Sequence, residues 1–123
     1  YAVNPIHVVD PVVLIRINRL YRHGMSEAEL YDATRSCWKL SPRRDRAKYA
    51  FAVFEGIVRE VYRIEAWHPA GTTGDKNPNP RYDGRWEFTG RVAEEAVRSK
   101  YFGGSVAAYF PRGLRAPVKY VNA

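Results

Sequence analysis

Cysteine, histidine and long apolar runs are scarce in this chain. Cys37 is the only cysteine, which excludes an internal disulfide and favours a reducing compartment, so we expect a cytoplasmic protein. No uninterrupted apolar segment approaches the roughly 18–20 residues of a membrane-spanning helix, and we expect no membrane partner. His7, His23 and His68 stand far apart, which predicts neither a zinc site nor another cofactor.

Recognisable catalytic motifs are also missing. The chain contains no glycine-rich phosphate loop and no Gly-x-Ser-x-Gly nucleophile turn. None of its 13 acidic residues is followed by lysine two positions later, the spacing expected of a restriction-type nuclease. Asp83 and Glu87 are close enough in sequence to meet, but such a pair is usually solvated at a surface. The sequence therefore favours binding over catalysis.

Positive charge is abundant by contrast. The chain carries 20 lysines and arginines against 13 acidic residues, a net charge of +7. Such a surface attracts polyanions, because each phosphate contact releases counterions. Arginine outnumbers lysine, and its planar fork suits phosphate and base edges. This balance favours nucleic acid, DNA or RNA, as a partner, while solubility alone is the alternative explanation of the charge.

The first half of the chain carries clear helix and turn signals. Ser26 followed three residues later by Glu29 is a capping box and predicts a helix that ends near Ser36. Ser41-Pro42 predicts the start of a second, short helix, and Glu55-Gly56 predicts a hairpin turn. The predicted strands are Val12–Asn18, Tyr49–Phe54 and Ile57–Trp67, the last with a bulge at Arg59-Glu60, where two polar residues interrupt the alternation.

A long loop separates this half from the rest. Residues 68–84 are rich in glycine, proline and asparagine, and loops of this length are often functional or disordered. After it we expect strands at 85–90, 105–110 and 117–121 and a helix at 93–101, with 1–11 as a lead-in. Because hairpins dominate, we predict one α+β domain over 1–123: a small, mostly antiparallel β-barrel with two or three short helices.

Two groups of residues are candidates for binding. The segment Lys39–Lys48 holds five positive charges in ten residues and begins a helix, and both features favour phosphate. Tryptophans lie at predicted element ends, two of them on either side of the long loop, where aromatic faces could stack on bases. The candidate nucleic-acid-binding residues are Trp38, Arg43, Arg44, Lys48, Trp67, Tyr82, Arg85 and Trp86.

The order of these features resembles the PUA-like superfamily, which includes ASCH and EVE domains and base-flipping SRA readers. The resemblance rests on SCWKLSPRRDRAKYAFAVFEGIVREVYRIEAW, RWEFTGRVAEE and KYFGGSV, and it covers about residues 30–106. It is closest to small PUA-like domains of bacterial defence and restriction systems. It implies a pseudo-barrel that binds RNA, or DNA with a modified base, in a cleft between strands and helices. Trp38, Arg43, Arg44 and Trp67 match the pattern best.

The sequence is compatible with three functions. The first is nucleic-acid binding, with a modified base read in an aromatic pocket. The second is a protein-interaction module, whose basic face docks on an acidic partner in a larger bacterial complex. The third is a small-molecule or nucleotide-processing enzyme that uses the same pocket, with the long loop as a lid.

Overall fold

The computed structural model describes residues 5–17, 21, 23–35, 38, 40–69, 85–111, 113 and 117–123. Within these residues the chain forms five strands, two α-helices and two short 3₁₀ helices. The strands are β1 (Val12–Arg16), β2 (Tyr49–Phe54), β3 (Ile57–Pro69), β4 (Trp86–Val92) and β5 (Val118–Val121). The α-helices are α1 (Glu27–Arg35) and α2 (Glu95–Tyr101), and the 3₁₀ helices are Pro42–Arg46 and Ala107–Tyr109.

The strands form one mixed sheet in the order β4-β3-β2-β1-β5. Three of its four pairings are antiparallel, but β1 and β2 run parallel. A parallel pair needs a long crossover, and α1 with the 3₁₀ helix Pro42–Arg46 supplies it. The α+β class is therefore confirmed. The barrel is not, because in the described part of the chain β4 and β5 are the two edges of an open sheet.

Apolar side chains cover both faces of this sheet. On one face, Leu14, Phe51 and Val61 pack against residues of α2. On the other face, Ile15, Ala52 and Phe88 pack against residues of α1. Because β1 and β2 are buried on both sides, their sequences VVLIR and YAFAVF lack the polar alternation of a half-exposed strand.

Three local structures that the sequence predicts are present in the fold: the capping box, the hairpin turn and the β-bulge. The Ser26 N–H donates to Glu29 Oε1 and the Glu29 N–H to Ser26 Oγ, both at 3.1 Å, which is the capping box. Glu55 and Gly56 have φ of 53° and 75°, the left-handed values of a two-residue hairpin turn. In β3, Arg59 has no register partner, because Val58 pairs with Val53 and Glu60 with Ala52. The predicted bulge is thus confirmed.

The prediction of a strand at 105–110 was wrong. Ser105 forms isolated bridges with Pro5 and Ile57, and the chain then turns into the 3₁₀ helix Ala107–Tyr109. The N–H groups of Tyr109 and Phe110 donate back to the carbonyls of Val106 and Ala107, so these groups are used within the turn rather than in a ladder. Among the described residues, no helix has the length and apolar character to cross a membrane.

Candidate functional site at the tryptophan end of the sheet

The 3₁₀ helix Pro42–Arg46 lies across one end of the sheet, which we call the tryptophan end because Trp38, Trp67 and Trp86 lie there. Ser41 caps it: the Ser41 side chain accepts a hydrogen bond from the Arg43 N–H at 3.3 Å, and Pro42 occupies the first turn. The helix is short because proline and the cap set its start and Ala47 returns to an extended conformation.

Arg44 is the centre of this end. Its Cζ lies 3.6 Å from the centroid of the Trp86 ring, within the range of a cation–π contact. Its Nη1 donates to the Ser41 carbonyl at 3.1 Å, and the Nε lies 3.9 Å from Asp45 Oδ1. That Nε is buried and donates no hydrogen bond among the described residues. The side chain as a whole is 14% exposed.

The tryptophans are tied to the backbone around Arg44. Trp38 and Trp86 exchange two backbone hydrogen bonds, of 3.0 and 2.8 Å. The indole N–H of Trp38 donates to the Thr34 carbonyl at 2.8 Å, and that of Trp67 donates to the Arg44 carbonyl at 2.9 Å. Both indole donors are therefore occupied within the protein, and Arg44 covers one face of Trp86. What these rings offer a ligand is apolar surface rather than a hydrogen bond from these two donors.

Exposed cations precede and follow Arg44 along the basic segment. Arg43 reaches toward β5, where its guanidinium donates to the Ala123 oxygen at 3.1 and 2.9 Å and lies 4.8 Å from the Tyr120 ring. Arg46 and Lys48 are exposed to solvent. The Lys48 backbone accepts from the Ile64 N–H at 2.9 Å, which fixes its Cα against β3. The basic segment thus presents three exposed charges beside one semi-buried, stacked arginine.

The structure brings together Trp38, Arg44, Trp67 and Trp86 from the predicted set, with Arg43 and Lys48 on the flank. Arg85 precedes β4 and is half-buried. Tyr82 lies outside the described residues, as does Asp83. Trp67 and Trp86 lie near each other in the sheet, since Trp86 pairs with Pro69 and Trp67 with Phe88 across β3 and β4.

The interpretation of Glu87 as a solvated surface carboxylate was wrong. Its side chain is fully buried, and Arg35 Nη2 lies 3.2 Å from Glu87 Oε2. The Arg35 Nε also donates to the Phe88 carbonyl at 3.1 Å. This buried pair joins the last turn of α1 to β4, at the residue that follows Trp86. Glu87 stands at a polar position of the alternation Trp86-Glu87-Phe88-Thr89, so the sequence pattern gave no signal of its burial or of its partner.

Ionisable groups on the other face of the sheet form a separate network. The Tyr49 hydroxyl donates to Glu94 Oε1 at 2.7 Å, and this hydrogen bond together with burial raises the pKa of Tyr49 to about 12. The Tyr101 hydroxyl donates to Asp10, which lowers the pKa of that carboxyl. Within the described ranges, no three His, Cys, Asp or Glu side chains converge as metal ligands.

Compared with known proteins, the chain matches no family model, no curated protein and no solved structure.

Proposed function

We propose that the tryptophan end of the sheet binds the sugar–phosphate backbone of a nucleic acid. The observation that supports this most is the 3₁₀ helix, which carries Arg43 and Arg46 exposed, Lys48 exposed just beyond it, and Arg44 stacked on Trp86. Charged groups at a surface gain most from a partner of opposite sign that releases counterions on binding. A nucleic acid is such a partner, and the net charge of +7 acts in the same direction.

The geometry favours phosphate contact and stacking over base-edge recognition. The Trp38 and Trp67 indole N–H groups are occupied, so a base would meet ring surfaces, which accept any base. Arg44 donates a hydrogen bond to the Ser41 carbonyl, and its Nε lies 3.9 Å from Asp45 Oδ1. A phosphate oxygen would bind the terminal guanidinium nitrogens of Arg44 together with the exposed charges of the same segment.

Recognition of a modified base is a more specific proposal for the same site. It requires the ring face of Trp86 that Arg44 covers, so Arg44 would have to move off that face to admit the base. A PUA-like relationship and a cytoplasmic location are proposals of the same kind. The first rests on the order of motifs in residues 30–106, and the second on the single cysteine.

Fluorescence anisotropy with labelled single- and double-stranded DNA and RNA tests the proposal. If Arg43, Arg44, Arg46 and Lys48 each meet one phosphate, log K falls with log salt with a slope of about −3 to −4. Removing two of these charges in an Arg46→Ala/Lys48→Ala variant reduces that slope by about 2. Including probes with modified cytosine or adenine shows whether one base is preferred.

A charge-matched control separates a site from a general charge effect. Arg91 and Lys119 lie on the opposite face of the sheet, since their register partners Arg63 and Leu14 share that face with Tyr49 and Phe51. An Arg91→Ala/Lys119→Ala variant loses the same charge and is expected to keep the wild-type slope. Equal losses in both variants, or no binding to any probe at low salt, would remove the proposal and favour an acidic protein partner.

A further inference from the structure

A second aromatic site lies at the opposite end of β3, next to the β2–β3 hairpin. A cavity of about 240 Å³ opens there between the start of α1, the bulged part of β3 and the end of α2. Its walls include Tyr21, Met25, Leu30, Ile57, Phe102 and Arg59. Of the described residues that line it, Arg59 alone carries a full charge at neutral pH.

The β-bulge determines where Arg59 goes. Because Arg59 has no register partner in β2, its side chain leaves the regular alternation of β3 and turns toward the aromatic residues beside the hairpin. Its Cζ lies 5.3 Å from the Tyr21 ring and 5.5 Å from the Phe54 ring, which stack on each other at 4.5 Å. Bulges commonly re-aim one side chain in this way beside binding sites.

The guanidinium of Arg59 donates one hydrogen bond within the described residues. Its Nη2 donates to the Phe54 carbonyl at 3.4 Å, a long hydrogen bond. Its Nε is buried and has no hydrogen-bond acceptor among the described residues. The other nearby cation, Arg98, is already engaged, since it lies 2.7 Å from Glu60 and stacks 4.1 Å from Phe102. The cavity thus offers one charged donor within apolar walls.

Size and access limit what fits. A cavity of about 150 Å³ is enough for benzene, and drug-sized ligands occupy about 300 Å³ or more, so 240 Å³ suits one ring with a small substituent. Phe102 is 48% exposed. Gly24 and Gly103 have φ of 83° and 80°, and no atom lies within 4 Å of the position that a Cβ would take at either residue. The rim of the cavity is therefore open at these two glycines.

We propose that this cavity binds a small single-ring carboxylate, with the ring between Tyr21, Leu30 and Phe102 and the carboxylate on Arg59. A carboxylate oxygen accepts a charge-assisted hydrogen bond from the guanidinium of Arg59, which lines the cavity. The walls supply the apolar burial that holds the ring. This site lies at the other end of β3 from the tryptophans and does not depend on the nucleic-acid proposal.

Titration of the ¹⁵N-labelled protein with benzoate, followed by ¹H–¹⁵N NMR, tests the site. We expect saturable shifts confined to the backbone signals of the cavity residues and to the Arg59 side-chain Nε–H. Benzamide has the same shape and no charge, so it is expected to bind about tenfold more weakly, the loss of a charge-assisted contact. Shifts that cluster instead at Trp38 and Trp86, or none that saturate, would overturn the proposal.

Three variants assign the contact to its residues. Arg59→Met keeps the apolar stem and removes the donor, and it is expected to weaken benzoate to the level of benzamide. Leu30→Trp fills the cavity and is expected to abolish binding of both probes. Arg91→Met removes an exposed arginine from β4 and is expected to bind as the wild type does. Undiminished benzoate affinity in folded Arg59→Met protein contradicts the proposal, and a thermal unfolding curve of each variant checks that it is folded.

Discussion

Arg44 and Arg59 lie near opposite ends of β3. Their guanidinium groups share one feature, but their surroundings differ. Arg44 and Arg59 both stack on aromatic rings and both bury an Nε without a hydrogen-bond acceptor in the described residues. Arg44 lies on a 3₁₀ helix among exposed cations, whereas Arg59 lies on a bulge and lines an apolar cavity. We therefore propose an extended polyanion as the partner of Arg44 and a small carboxylate as the partner of Arg59.

We infer from this difference that the neighbours of an arginine determine which partner suits it. The like charges beside Arg44 would be relieved by the phosphates of the proposed nucleic acid, an interaction that weakens with salt. The apolar walls beside Arg59 would bury the ring of the proposed carboxylate, so binding there should depend less on salt.

The largest effect is expected from Glu87→Ala. This change removes one side of the buried Arg35–Glu87 ion pair, and breaking such a pair costs about 3–5 kcal/mol of unfolding free energy. Because Glu87 follows Trp86 in β4, the tryptophan end should be disturbed before the Arg59 cavity. Urea unfolding gives the stability, and NMR shifts show which end changes. Arg35→Met/Glu87→Leu replaces both charges and is expected to recover much of the loss. A Glu87→Ala protein as stable as the wild type would mean that the pair carries little of the fold.

A second, smaller effect is expected from Trp86→Ala on nucleic-acid binding. Loss of one stacking surface weakens binding by about 1–3 kcal/mol, while the slope against salt is unchanged because no charge is lost. Fluorescence anisotropy at several salt concentrations measures both the affinity and its dependence on salt. Phe102→Ala removes an exposed ring at the cavity and is the matched control, expected to bind as the wild type. If both variants bind equally well, the tryptophan end is not the stacking surface.

Tyr49, on the opposite face of the sheet, is expected to make the stability of the protein depend on pH in the alkaline range. Tyr49 has a pKa of about 12 in the folded protein against 10.0 as its ordinary value. Since the folded pKa is the higher one, the stabilising contribution is complete below pH 10 and is lost as pH rises toward 12. Tyr49→Phe should lose this part of the alkaline decline in denaturant midpoint. An identical decline in both proteins between pH 10 and 12 would contradict the assignment.

The smallest effect is expected from Arg59→Met on stability. The change loses cation–π contacts of about 0.5–1 kcal/mol, but it also removes a buried donor whose unmet hydrogen bond costs about 1–3 kcal/mol. The free energy of unfolding should therefore stay within about 1 kcal/mol of wild type or rise slightly. Arg44→Met loses a hydrogen bond to Ser41 as well and is the comparison. A large loss in Arg59→Met, measured by urea unfolding, would assign Arg59 a structural role instead.

The sequence predicted the features that depend on a few adjacent residues. The Ser26–Glu29 capping box, the Glu55-Gly56 turn and the bulge at Arg59 each follow from residue type at a fixed spacing. The joint position of Trp67 and Trp86 followed because both flank one loop. No such local rule identifies Arg35 as the partner of Glu87, places Arg44 on Trp86, or makes β1 parallel to β2, because each contact joins segments that are distant in sequence.

The parallel pair at the centre of the sheet has a consequence for synthesis of the chain. β1 lies between β2 and β5, with Val13 paired to both Ala50 and Tyr120. The hairpin of β2 and β3 closes from neighbouring residues, whereas β1 must wait for strands that leave the ribosome later. At about 5–20 residues per second, the apolar stretch from Val12 to Ile15 spends several seconds without either neighbour.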